Sequence, residues 1–221
     1  KDTPTEHHAA LVALFEVLEI TARADIKSDL LQELERQKHL LEALRKNPNV
    51  DETTLNTALG NIRSTFREML DLPGKVGEHL RENDWLMSIK QRMAIPGGCC
   101  VFDLPFYHYW LNLDTEKRHQ DFKEWLGPFQ PVRNAFEIVL YLLRKSGKTI
   151  KLTANQGVFQ QTGAEYAAHM LRLNLSDDLP CIPEISANKY ALNIRFIPIK
   201  STQKNKTYEG DVAFELTFCN L

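Results

Sequence analysis

Apolar residues recur at helical spacing over the first 147 of the 221 positions. Thr3-Pro4-Thr5-Glu6 supplies an N-cap, a proline at the first helical position and a capping-box Glu, and Leu11, Leu14, Phe15 and Leu18 follow on one stripe. Residues 25–46 read as a second helix. Leu30, Leu31, Leu34, Leu41 and Leu44 form its apolar stripe, and Glu33, Glu35, Arg36 and Lys38 its solvated face. Asn47-Pro48 stops it, because the residue before a proline is pushed out of the helical region. Asp51 is placed to cap a third helix carrying Leu55, Leu59, Ile62, Phe66 and Met69, which Leu72-Pro73-Gly74 breaks. Two shorter helices are predicted over residues 84–94 and 105–111. Between them, Ile95-Pro96-Gly97-Gly98-Cys99-Cys100 cannot be helical. Thr115 is expected to cap a helix over 116–126, ended by Gly127-Pro128. Pro131 opens the last one, with Phe136, Val139, Leu140 and Leu143 buried and Gly147 as its stop.

From Lys148 the period becomes two. Leu171, Leu173 and Leu175 alternate with Arg172 and Asn174, and Leu192, Ile194 and Phe196 with Asn193 and Arg195. Val212, Phe214, Leu216 and Phe218 alternate with Glu215 and Thr217, while residues 148–159 carry a weaker strand pattern at Ile150 and Leu152. Helices first and strands second predict an α+β protein: a helical domain over 1–147, then a domain over 148–221 built as an antiparallel sheet or small sandwich with a polar face.

Composition narrows the classes. The chain is 43% hydrophobic and 25% charged, ordinary for a folded domain. Lys+Arg 27 against Asp+Glu 29 leaves a net charge of −2, split as −3 over residues 1–147 and +1 over 148–221. Neither half has the basic excess of a protein made to bind phosphate backbones. No apolar run approaches the roughly 18 residues of a membrane span, so a soluble protein is expected. Cys99, Cys100, Cys181 and Cys219 are too few for a disulfide framework, and with no signal-like start a reducing cytoplasm is expected.

Signatures of catalysis are scarce. The chain has no phosphate loop, dinucleotide fingerprint, nucleophile elbow, H-E-x-x-H pair or C-x-x-C, and neither a metal nor another cofactor is expected. Cys100 with His108 is the one nucleophile-and-base pairing to weigh, and a thiol hydrolase would need that imidazole beside the thiol. No third orienting group is evident, and the plainer reading is a small residue beneath a turn with the histidine as a polar partner. Gly97-Gly98 reads as a tight turn sooner than an anion cradle. Trp85, Trp110 and Trp125 read as core. Arg172 and Arg195 take polar-face positions, with Lys189 just before the second strand. They form one patch if those strands neighbour each other, or else pair across strands, for instance with Glu215. These patterns point to a binding protein, not an enzyme.

The run Arg92-Met93-Ala94-Ile95-Pro96-Gly97-Gly98-Cys99-Cys100-Val101-Phe102-Asp103-Leu104-Pro105, continuing to His108 and Trp110-Leu111, resembles the signature segment of the ZapD family. These are bacterial cell-division proteins that associate with the tubulin-like FtsZ. Leu30 to Gln37, Leu171 to Ser176, Asn193 to Phe196 and Phe214 to Leu216 resemble further family segments in the same order. The resemblance implies a helical domain followed by a β-domain, no enzymatic activity, a homodimer, and a basic surface that takes the C-terminal tail of FtsZ. A dimer with two such sites would cross-link and bundle filaments at the mid-cell division ring, divalency raising avidity without new contacts. By position, Arg23, Arg81, His108, Lys189 and Arg195 match family residues, and with Arg172 they make up the expected partner-binding patch. Asp84 and Ala191 stand where relatives carry arginine, and the family's first helical segment, with its Arg-x-x-Leu-Arg pattern, is not in this sequence. A nucleic-acid-binding module using the same cations on the β-face is the alternative. It lacks the exposed aromatic pair that stacks bases.

Overall fold

The computed structural model describes residues 3–22, 25–163, 168–188, 190–199 and 206–221. They form two compact units, Lys1–Val139 and Leu140–Leu221. The α+β class is plain from the element order: helices α1 (Pro4–Ala22), α2 (Ile26–Ala43), α3 (Glu52–Asp71), α4 (Glu78–Arg81), α5 (Asp84–Met93), α6 (Pro105–Leu111), α7 (Thr115–Leu126) and α8 (Gln130–Lys145), then strands.

Local chemistry sets the helix ends. Thr3 and Glu6 close a reciprocal capping box, with Glu6 N–H donating to Thr3 Oγ1 (3.3 Å) and Thr3 N–H to Glu6 Oε2 (3.0 Å). Asp25, Asp51 and Asn83 each accept an N–H at the starts of α2, α3 and α5. Three details differ from expectation. The second helix is α-helical only to Ala43 and tightens to 3₁₀ over Leu44–Lys46, where Leu44 is exposed. Asp114, not Thr115, occupies the N-cap position of α7. On α8 the buried stripe runs through Val132, Ala135 and Leu143, leaving Phe136 41% exposed.

In the first unit, Leu11, Leu14, Phe15 and Leu18 of α1 meet Leu80, Leu86, Ile89, Leu104, Tyr107, Trp110 and Leu111 in one core. Trp85, Trp110 and Trp125 pack ring against ring, and the Trp110 indole N–H donates to Asp121 Oδ2 (2.6 Å), satisfying its polar end. Gly98 approaches the Arg92 carbonyl so closely that a Cβ would lie 2.4 Å from it, and Gly97 has φ +73°. The glycine pair is thus a tight turn, seven residues from the next helix start.

The second unit is a sandwich of two three-stranded antiparallel sheets. Strands β1 (Lys148–Ala154), β6 (Val212–Cys219) and β3 (Met170–Asn174) form one sheet in the order β1-β6-β3; β2 (Val158–Thr162), β5 (Ala191–Pro198) and β4 (Cys181–Ala187) form the other as β2-β5-β4. Their inward residues share one core, in which Phe214 of β6 meets Phe159 and Phe196 of the opposite sheet at 5.5 and 5.4 Å between ring centres. The stretch 148–159 is therefore not one strand, because Gln156 and Gly157 turn the chain from one sheet into the other. Thr217 also departs from the simple alternation. It is buried in the central strand β6, with its hydroxyl hydrogen-bonded to that of Thr149 (2.9 Å).

Candidate partner-binding site

Arg81 lies at the end of α4, which Gly77 starts from a left-handed conformation (φ +77°) directly against Leu18 of α1. Its guanidinium donates to the carbonyl of Val76 (2.9 Å) and, at the end of α1, to the carbonyl of Leu18 (3.2 Å) and the hydroxyl of Thr21 (3.1 Å). A helix C-terminus leaves carbonyls without intrahelical partners, and a cation there completes them. These acceptors are neutral, so they fix the guanidinium without cancelling its charge. Among the described residues Arg81 forms no ion pair.

Beside it opens a cleft of about 860 Å³. Ala22, Ile26 and Val76 supply its apolar lining, and Lys27, Lys75, Arg81, Asp25, Glu78 and Glu82 its charges. Several of these are committed locally. Lys27 Nζ donates to the Leu72 carbonyl (2.6 Å), Glu78 accepts from the Lys75 N–H (2.9 Å), and Asp25 caps α2. Hydrogen bonds from Ser28 hold the Asp25 carboxyl below its usual range, with smaller help from Lys75 and Lys27. The Lys75 side chain lies exposed at this edge. The cleft thus sets three cations and three carboxylates beside apolar ground, with the Arg81 guanidinium fixed in place.

His108 does a different job. Its Nε2 hydrogen-bonds the Cys99 carbonyl (2.7 Å) and pins the Gly-Gly-Cys-Cys turn to α6. The Cys100 thiol donates to Asp103 Oδ2 (3.1 Å), so the imidazole is not placed to activate it. Burial pushes the neighbouring Cys99 thiol up, and burial pushes Tyr107 up as well, leaving its hydroxyl protonated beside His8 Nδ1 (2.5 Å). Among the described residues no group of His, Cys, Asp and Glu is placed to hold a metal ion.

The two strand arginines separate. Arg172 is on β3 opposite Thr217, and Arg195 is on β5 opposite Glu184. Each alternates with inward-facing core residues of a different sheet, so they stand on opposite outer faces of the sandwich. Arg195 pairs with Glu184 at 2.5 Å, the cross-strand arrangement weighed above but with a different acid; Glu215 instead lies 4.0 Å from Lys151. Arg172 is exposed and forms no ion pair with a described residue. Arg23 and Lys189 lie outside the described residues. Lys27 and Lys75 went unnoticed in sequence because neither falls on a periodic pattern, and only the fold brings α2 and the Pro73–Gly77 turn together. The sheet aromatics Phe159, Phe196 and Phe214 face the core.

Comparison with known proteins places these features. Residues 1–195 match the family described as ZapD, cell division protein. The protein named "Cell division protein ZapD" from Nitrosomonas europaea is 59% identical over 221 residues, all of this chain and 84% of that protein. Its namesake from Nitrosomonas eutropha is 57% identical over all of this chain and 88% of its own length, and that from Chromobacterium violaceum 51% over 99% and 87%. No helix among the described residues is long and apolar enough to cross a membrane. With its family match over residues 1–195 and full-length relatives of the same name, this chain belongs to the ZapD family of cell division proteins.

Proposed function

We propose that this protein binds the C-terminal tail of FtsZ and, as a homodimer, cross-links FtsZ filaments into bundles that stabilise the division ring. It acts in the cytoplasm, without enzymatic activity, cofactor or nucleic-acid partner. Membership in the ZapD family supports the cell-division role. The observation that carries the tail-binding reading is the cleft beside Arg81, where neutral oxygens hold a guanidinium in place that forms no ion pair with a described residue. Arg172, exposed on its sheet, is a second anchor; Arg195 contributes when the tail's carboxylates displace Glu184. Arg23 and Lys189 complete the basic set by resemblance, and His108 acts from behind by fixing the signature turn. A tail that is disordered when free loses entropy on binding, so modest affinity per site and gain through divalency are expected.

Fluorescence anisotropy with a labelled FtsZ tail peptide tests this. Lys75→Glu reverses an exposed charge at the cleft without touching a cap, and should weaken binding about tenfold, an effect of roughly 1.4 kcal/mol. Arg172→Glu should add to it. Unchanged affinity in both variants would refute the assignment.

A further inference from the structure

Residues 138–164 form the longest stretch of the chain without an acidic residue, yet they hold four cations, Arg144, Lys145, Lys148 and Lys151. A local charge of +4 thus sits inside a chain whose net charge is −2. The fold gathers the four at one corner of the second unit. Arg144 and Lys145 end α8, Ser146 and Gly147 follow, and Lys148 opens β1. Gly147 seats that corner on the sheet, where a Cβ would lie 2.3 Å from Thr217 Cγ2 and 2.9 Å from Cys219 Sγ. Three residues of strand, roughly 10 Å, separate Lys148 from Lys151. That is about one Debye length at ~0.1 M salt, so the charges act together on whatever they face.

All four side chains are exposed, that of Lys151 to 87%. Among the described residues Arg144, Lys145 and Lys148 form no ion pair, and Lys151 has Glu215 at 4.0 Å. Cations at a helix end offset its dipole, which accounts for Arg144 and Lys145, and lysines blunt an edge strand, which accounts for those of β1. Neither role calls for an exposed aromatic ring among them. Tyr141 is nevertheless 60% exposed, with Lys145 Nζ 5.8 Å from its ring centre.

We propose that this corner is a docking surface for an anionic lipid bilayer, with the cations over the headgroups and the Tyr141 ring at the interface. The inference is independent of the tail-binding cleft, which lies in the first unit. Two observations favour a bilayer. Three of the four cations are lysines, compact charges on flexible stems, which suit a fluid array of headgroups. Recognition of one defined carboxylate or phosphate instead uses a fixed guanidinium such as that of Arg81. The second is Tyr141, since a ring with an apolar body and a polar tip is the residue type that settles between headgroups and acyl chains. Each cation near an anionic bilayer strengthens binding about fivefold, so the four give reversible, salt-sensitive adhesion.

Co-sedimentation of the whole chain with vesicles is the test, comparing phosphatidylcholine alone with a mixture of phosphatidylcholine and phosphatidylglycerol. The parent should pellet with the anionic vesicles and not with the neutral ones, and the bound fraction should fall as salt rises. Lys148→Gln combined with Lys151→Gln removes two charges at exposed positions and should weaken that binding more than about tenfold. Tyr141→Ala keeps every charge and should also weaken it. Circular dichroism verifies that both variants fold as the parent does. Failure of the parent to bind anionic vesicles, equal pelleting with both compositions, or undiminished binding by the double variant would each overturn the proposal. Displacement by inorganic phosphate would reassign the corner to free phosphate, and tighter binding to a duplex oligonucleotide would reassign it to nucleic acid; either result overturns it. Tail-peptide affinity should be the same in parent and double variant. Loss of it in the double variant would give the corner to the tail and overturn the lipid assignment, whereas a parent that binds anionic vesicles but no tail peptide would overturn the tail reading and leave this one standing.

Discussion

Arg81 serves the fold as well as the recognition proposed for it. Its bonds to the Leu18 and Val76 carbonyls tie α4 to the end of α1, and replacing it with alanine leaves those carbonyls short of donors. A loss of about 1–3 kcal/mol is expected, read as a lower midpoint in urea unfolding of Arg81→Ala. Gly77 belongs to the same joint. At φ +77°, with a Cβ destined to lie 2.7 Å from Leu18 Cδ1, Gly77→Ala combines backbone strain with a clash. It should destabilise the first unit by about 1–2 kcal/mol or more, whereas alanine at Gly60, which has nothing within 4 Å of its Cβ, should be neutral or stabilising. Thermal denaturation of the two variants side by side checks the contrast.

At the scale of elements, the helix starts depend on carboxylates. Asp25 and Asp51 cap α2 and α3, and hydrogen bonds from Ser28 and Thr54 hold the pKa of each carboxyl below the usual range. A carboxyl depressed in the folded state stabilises above its unfolded value, near 3.8, and that contribution fades as pH falls through the lower folded value. Helicity followed by circular dichroism should therefore fall on acidification below about pH 4. Asp51→Asn, which still caps but does not titrate, should flatten that limb; an unchanged acid limb would contradict it. Caps of this kind are local, and that is why Thr3 and Asp51 were readable from sequence. Strand β4 was not, since Cys181-Ile182-Pro183-Glu184-Ile185-Ser186-Ala187 is an edge strand exposed almost throughout, with no buried face to impose alternation. Its alternate residues bond toward β5, placing Pro183 where its missing N–H faces outward, the position an edge tolerates.

Across the whole molecule, family and α+β class were legible because signature turn, helical period and strand period are each written in short runs. The composition of the candidate site was not, since sheet membership is non-local. Nothing near Arg172 or Arg195 in sequence tells that β3 and β5 join different sheets, or that Glu184 reaches Arg195 first. Likewise Lys27 and Lys75 come together only in the fold, where Lys27 Nζ reaches the Leu72 carbonyl and both line one cleft. The net charge of −2 conceals this arrangement: Arg195 stands against Glu184, while Arg81 and Arg172 form no ion pair with a described residue. Electrostatic recognition of that kind weakens with salt, so bundling should decline between low and physiological ionic strength. The most direct measurement of the central claim is co-sedimentation of this protein with polymers of full-length FtsZ and of FtsZ lacking its C-terminal tail. The account predicts that the protein pellets with, and bundles, only the full-length polymers; equal pelleting with the tail-less polymers would contradict it.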